Sequence, residues 1–263
     1  MRERVYRRLA TVAAVSVVAL VALTGRADAG TTYSVSTIAM LDAAVAAVNA
    51  GTGGDVIVLA PGFYSLTNQL VINQNVTIQG DASGPTVVDG AGLPSAFWLR
   101  ANASMLNLTI QNAGSSISWD SVGIFTGTGL TLTGSRNGLG AGDSEGEIFL
   151  TNSTISNNTT NGIENSCANL HLTNVTLSGN GRGVSFVHTC SNPVIQFTNA
   201  LIVANTLDCG GDTAGLNAIG TASIDSDGTC VSRGFGPGMA TATVAAVGLG
   251  SLAANLEIGR AHV

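Results

Sequence analysis

Few residues in this chain are equipped for chemistry. His171, flanked by Leu170 and Leu172, could act as a general base, with Arg182 or Glu164 as the candidate partner. Asp143, Glu145 and Glu147 gather in one stretch, but Gly and Ser interleave them. Acid–base work needs fixed geometry, so these acids read as a solvated excursion. Asp225-Ser226-Asp227-Gly228 opens like a calcium loop and lacks the later ligands, which favours a plain Asp-Gly turn. His188, near Cys190, has even less chemical context than His171. Residue types alone assign no catalytic set beyond these candidates and no metal set.

The elements that must position these groups are legible in the composition and at the chain's start. Charged residues make up 10% of the 263, lysine is absent, and there are 34 glycines. Ordinary soluble domains carry roughly 25% charge. Abundant Val, Ile and Leu exclude a disordered chain, and the glycines keep no collagen triplet. Arg2, Arg4, Arg7 and Arg8, the apolar run Leu9 to Leu23, and Ala27-Asp28-Ala29 read as a cleaved export signal over residues 1–29. The apolar run is shorter than the roughly 20 residues of a membrane span. Past that signal, 14 acids face five arginines, a net charge of −9. No basic face for nucleic acid can be built from that. Residues 257–263, EIGRAHV, match the translation of a widely used sequencing adapter and are read as an artefact, leaving 30–256 as the domain.

Internal repetition decides the fold. Ile148–Ile155 (IFLTNSTI), Leu170–Leu177 (LHLTNVTL) and Ile195–Ile202 (IQFTNALI) align without gaps. Weaker copies end at Ile78, Ile110 and Leu132, and the closing aliphatics are separated by 32, 22, 23, 22 and 25 residues. Short strands with Gly, Asn, Ser and Thr turns at this period indicate an all-β parallel β-helix of roughly seven coils, not a leucine-rich repeat. Alternation places Ile148, Leu150, Ile155, Leu170, Leu172, Leu177, Ile195, Phe197 and Ile202 in the core. The same alternation turns Phe149, His171 and Gln196 outward. His171 and Arg182 lie 11 residues apart, half a coil, so different faces are expected.

Asn75, Asn107, Asn152, Asn174 and Asn199 fall at one turn position, where Gly129 replaces asparagine in the sixth copy. Asn and Gly share tolerance for left-handed backbone, and stacked amides roughly 4.8 Å apart can form a ladder. A second series is Asn112, Asn157, Asn180 and Asn205. Open solenoid ends need covers, and Ser36 followed by Ile38, Met40, Leu41, Ala44, Val45 and Val48 predicts a capping helix over 37–49 with a serine N-cap. Cys167, Cys190, Cys209 and Cys230 are 23, 19 and 21 residues apart, each near one coil. Paired zinc-knuckle spacing is missing. Coil register and an exported address predict two disulfides, Cys167 with Cys190 and Cys209 with Cys230.

Gly54-Asp55-Val56-Ile57-Val58-Leu59-Ala60-Pro61-Gly62-Phe63-Tyr64 resembles the GD-T-I-x-L-x-P-G-x-Y opening of right-handed parallel β-helix proteins of the pectate-lyase-like superfamily. The later coils, with Asp208-Cys209-Gly210, Gly215-Leu216-Asn217, Cys230 and Leu249-Gly250-Ser251-Leu252-Ala253, are similar to exported bacterial choice-of-anchor Q proteins and to polymorphic outer-membrane-protein repeats. The resemblance covers about residues 31 to 256 and implies fold and right-handedness far more than activity. A lyase of this superfamily would use calcium-binding acids and an Arg or Lys base. Lysine is absent, and Arg100, Arg136, Arg182 and Arg233 stand in no family motif. A galacturonan hydrolase's Asp-Asp, Gly-His-Gly and Arg-x-Lys are missing as well. The expectation is a secreted or cell-surface monomer that presents a rigid face for adhesion or contact with a polysaccharide or cell-surface glycan. It needs no cofactor, has no membrane span after signal cleavage, and binds no nucleic acid. The alternatives are a polysaccharide lyase, with calcium, or a glycoside hydrolase, and a passive stalk for a further anchor.

Overall fold

The computed structural model describes residues 30–142, 145–187, 193–212 and 216–247. The export signal, the adapter-like tail, Asp143, His188 and Cys190 lie outside the described residues. Strands of successive coils pair in parallel, forming one sheet of 16 strands and one of seven. Each full coil gives the larger sheet two consecutive strands, fused into one ten-residue strand in Glu147–Ser156 and Asn169–Ser178, and the smaller sheet one. The fold is an all-β parallel solenoid.

One coil shows why these residues fold this way. In strand Glu147–Ser156, Ile148 and Leu150 point in, Asn152 turns the chain at φ 50°, and Ile155 points in again. Asn157 makes a second left-handed turn, strand Asn161–Asn165 runs along the smaller sheet, and strand Asn169–Ser178 begins the next coil. Ile148, Leu150 and Ile155 stack on Leu170, Leu172 and Leu177, which stack on Ile195, Phe197 and Ile202. All nine are at most 1% exposed. Burying each such side chain contributes roughly 1.5–3 kcal/mol.

One outward column runs through eight coils: Val56, Thr77, Ser104, Thr126, Phe149, His171, Gln196 and Ile219. The solenoid therefore has about eight turns, one more than the roughly seven that the repeat spacing implies. The extra turn hides in the separation of 32. Ile78 stacks between Ile57 and Met105, whereas Ile110 stacks between Val88 and Leu132. The copy ending at Ile78 thus belongs to the first strand of its coil, and the copy ending at Ile110 to the second. Asn75 consequently leaves the predicted ladder and lies beside Asn102 instead.

The remaining turn position reads Asn107, Gly129, Asn152, Asn174, Asn199 and Ala222, all at φ between 49° and 65°. The second asparagine series also divides. Asn112 and Asn157 share a left-handed column with Gly134, Gly179 and Ala204. Asn180 and Asn205 belong one position later, with Ala113, Ser135 and Asn158.

The N-terminal end is covered by helix Ile38–Ala50, whose Leu41, Ala44, Val45 and Val48 are buried. Its N-cap is Thr37, not Ser36: the Thr37 hydroxyl accepts from Met40 N–H at 3.3 Å. The GD…PGxY opening has a structural cause. Asp55 accepts the Thr31 N–H at 2.6 Å, holding the edge strand Thr32–Val35, and the Tyr64 hydroxyl reaches the carbonyls of Val35 and Ala60. Burial raises the Tyr64 pKa, which suits a neutral donor.

Candidate functional site

The three sequence candidates do not converge. His171 lies on strand Asn169–Ser178 of the larger sheet, while Glu164 and Arg182 lie on the smaller. Glu164 accepts from the side-chain amides of Asn137 at 3.2 Å and Asn161 at 2.7 Å. Arg182 pairs in register with Asn161, and its side chain leans over Gly210 in the next coil. The guanidinium therefore turns away from Glu164's coil.

His171 instead joins a residue that sequence reasoning dismissed. Glu147 does not belong to a solvated excursion; it starts a strand, two positions before Phe149 on the same outward face. Its Oε2 lies 2.8 Å from His171 Nε2, and its Oε1 accepts from the Asn169 amide at 2.7 Å. His171 Nδ1 lies 2.8 Å from Gln196 Oε1. The ring stacks on Phe149, with centroids 4.5 Å apart and planes 10° from parallel. Three side chains from the two flanking coils thus fix the imidazole, and Asn169 braces Glu147. The outward parity of Glu147, one 22-residue coil before Asn169, was the signal that could have revealed it.

The site occupies a polar, sparsely charged face. Thr128, Thr151, Thr173, Thr198 and Thr221 form the neighbouring outward column, one per coil. Phe149 and Ile219 are 37% and 48% exposed. Such a face offers hydroxyls, amides and aromatic carbon at fixed spacing. It can hold a ligand by many small contacts, and Glu147 with His171 could exchange a proton with it.

A second cluster closes the C-terminal end. Carboxylate oxygens of Asp208, Asp225 and Asp227 lie within 4.8 Å of one another. Asp208 accepts from Ser226 N–H and Oγ–H at 2.7 Å each, and Asp225 from the N–H groups of Gly228, Cys230 and Val231. Asp227 accepts from Thr229 and Asp208 N–H. Backbone N–H donors reach all three carboxylates, so the cluster is tied into the cap by hydrogen bonds of its own. Burial, together with the neighbouring Asp227 and Asp208 charges, pushes Asp225 up to about 6 against its Val231 hydrogen bond. Burial would also raise Asp227, but donors from Thr229 and Asp208 outweigh it and hold that carboxyl below its usual range. Cys209 and Cys230 are disulfide-bonded across this end, with Cα atoms 4.8 Å apart. Cys167 is also disulfide-bonded.

Parallel coils, left-handed asparagine turns and a helix lid define the pectate-lyase-like right-handed parallel β-helix. The chain is similar to pectate lyase Pel9A, with a TM-score of 0.54 and 18% identity, covering 69% of this chain and 56% of that one. It thus spans about half of Pel9A. It is also similar to the ybhc protein of Escherichia coli (TM-score 0.48, 13% identity, 85% of this chain and 78% of that one) and to the PL6 family alginate lyase AlyGC (0.42, 13%, 74% and 39%). At these identities the likeness concerns the fold alone. No protein family and no curated protein matches the chain. Among the described residues, no helix is long and apolar enough to cross a membrane.

Proposed function

We propose that this protein is an exported or cell-surface β-helix that contacts glycan through the outward face bearing Phe149, His171 and Gln196, without turning it over. The observation that carries the reading is the immobilised cluster of Glu147, His171 and Gln196 stacked on a half-exposed Phe149. A surface whose rotamers are fixed before binding loses little entropy on contact. The Cys209–Cys230 disulfide supports an oxidising compartment. The sequence resemblance supports a place among the choice-of-anchor Q proteins.

The Glu147–His171 contact supports a second reading, a polysaccharide lyase or hydrolase using that pair for proton transfer. Glycan titration and an unsaturated-product absorbance assay on pectin and alginate, with and without calcium, separate the two. The proposal expects binding and no new absorbance. Turnover that disappears in His171→Ala would replace it with the enzyme reading.

A further inference from the structure

One coil toward the N-terminus from Phe149, the same face sinks into a trough of about 260 Å³. Its floor is Thr77, Ser104 and Thr126, and its side is Asn75, Asn102 and Ile124. None of the lining residues is charged. The side chains divide their hydrogen-bonding capacity unevenly. Asn75 Oδ1 accepts from Asn102 N–H at 3.2 Å, and Asn102 Oδ1 accepts from Ile124 N–H at 2.8 Å. Both amide oxygens are therefore engaged in holding the backbone. The two amide nitrogens have no partner among the described residues, and they stand one coil apart, about 4.8 Å. Thr126 donates to Ser104 Oγ at 2.9 Å, leaving the Ser104 hydroxyl hydrogen available.

Phe149 follows Thr126 in the outward column. His171 covers one face of its ring, so the other face turns toward the trough. The result is a hydroxyl-bearing floor, two uncommitted amide donors at coil spacing and an aromatic ring one coil beyond Thr126. The geometry points to this trough and the ring beyond it as a binding subsite for a short run of neutral pyranoses in a glycan chain. One sugar residue's hydroxyl oxygens would accept from Asn75 and Asn102, and a later residue of the same glycan chain, two to three coils along at about 4.8 Å per coil, would pack its C–H face on Phe149. A uronate has no cation to meet here, and Glu147 stands in the neighbouring coil beyond Ile124. This subsite rests on the glycan-contact reading and assigns it a position and a sugar class.

The test is calorimetric titration of the purified protein with cellohexaose, mannohexaose and an oligogalacturonate. A neutral hexaose should bind and the uronate should not. Asn75→Asp and Asn102→Asp keep the oxygen that caps the backbone and remove the donor, and each should weaken binding roughly 5-fold, the worth of one hydrogen bond. Thr126→Trp should fill the trough and abolish binding. Unchanged melting temperatures in all three exclude unfolding as the cause. If neutral binding is lost in Phe149→Ala yet unchanged in Asn102→Asp and Thr126→Trp, the subsite is wrong while the glycan face stands. Preference for the oligogalacturonate overturns the neutral class. No binding of any oligosaccharide sinks the glycan reading itself.

Discussion

Two asparagine ladders climb this solenoid, and the same residue does different work in each. In the outer ladder Asn152, Asn174 and Asn199 are exposed and lie at φ 50–55°. Asn174 Nδ2 donates to Asn152 Oδ1 at 2.9 Å, and Asn199 Nδ2 to Asn174 Oδ1 at 2.8 Å. In the inner ladder Asn158 and Asn180 are 1% and 2% exposed. Asn180 Nδ2 donates to Ile155 C=O and to Asn205 Oδ1, and its Oδ1 accepts from both Asn158 N–H and Asn158 Nδ2. The outer turn asks only for a left-handed backbone, and Gly129 and Ala222 serve in the same column. From Asn158 to Asn205 the inner position uses an amide to satisfy buried backbone groups that have no water to turn to, and toward the N-terminus the Ser135 hydroxyl takes over, accepting from Ala113 N–H at 3.1 Å.

The contrast is broken most directly at Asn180. Asn180→Ala strands the Asn158 N–H and the Ile155 carbonyl, and should cost about 2–5 kcal/mol. Urea unfolding measures it. A loss below about 1 kcal/mol, the scale of one exposed hydrogen bond, would erase the distinction between the ladders.

The inner ladder ends on charge, and that end is sensitive to pH. Asn205 Nδ2 donates to Asp208 Oδ1 at 2.9 Å, and the other Asp208 oxygen meets the Asp225 and Asp227 cap. Burial pushes Asp225 up to about 6 in the folded protein, against 3.8 for an ordinary aspartate. The folded state therefore binds the extra proton between those values. The stability Asp225 contributes is fully present below pH 3.8 and is lost as pH rises through about 6. Asp227 and Asp89 are lowered, and their contribution is lost as pH falls through their folded values. The melting temperature should rise from pH 7.5 to pH 5, and Asp225→Asn should flatten that rise. A wild-type profile already flat over this window would detach the cap from the ladder's energetics.

Much of this architecture was legible because period-two alternation is unambiguous where one side of a strand faces a dry core, as in Ile148-Phe149-Leu150. Register was harder. Asn-x-Thr-Ile suits both strands of a coil, which displaced Asn75. The Asn157-Asn158 doublet contains one residue of each column, which blurred the inner ladder. Glu147 was misread because its neighbours are loop-like, although its parity places it on the outward face. Asp208 gave no local sign of its role, since its partner Ser226 is 18 residues away and meets it only after folding.

Smaller effects sharpen the comparison on the outer ladder. Asn174→Gly keeps the left-handed turn and should change stability by only a few tenths of a kcal/mol beyond the loss of two exposed amide contacts. Asn174→Ala adds the steric cost of that backbone, about 1 kcal/mol. Thermal melts of the two variants should differ in that order. Ala222, at φ 49°, shows that the fold accommodates alanine at this position. Equal destabilisation would mean that the hydrogen bonds, not the torsion, select asparagine here.

The smallest effect comes from repairing the ladder where it is interrupted. Gly129 separates Asn107 from Asn152, so the outer amides do not run continuously. A Cβ at Gly129 would lie 2.7 Å from Asn107 Oδ1, too close unless that amide rotates. Asn107 is exposed, and its side chain has no hydrogen-bond partner among the described residues, so rotation is cheap. The backbone at φ 65° already suits asparagine. Gly129→Asn should therefore join the rungs through one or two exposed side-chain hydrogen bonds and restrict the unfolded chain. The net gain should be about 0.5–1 kcal/mol. Differential scanning calorimetry should show a small upward shift in Tm. A downward shift would mean that Asn107 cannot rotate away, and that glycine is needed at this rung for space as well as for torsion.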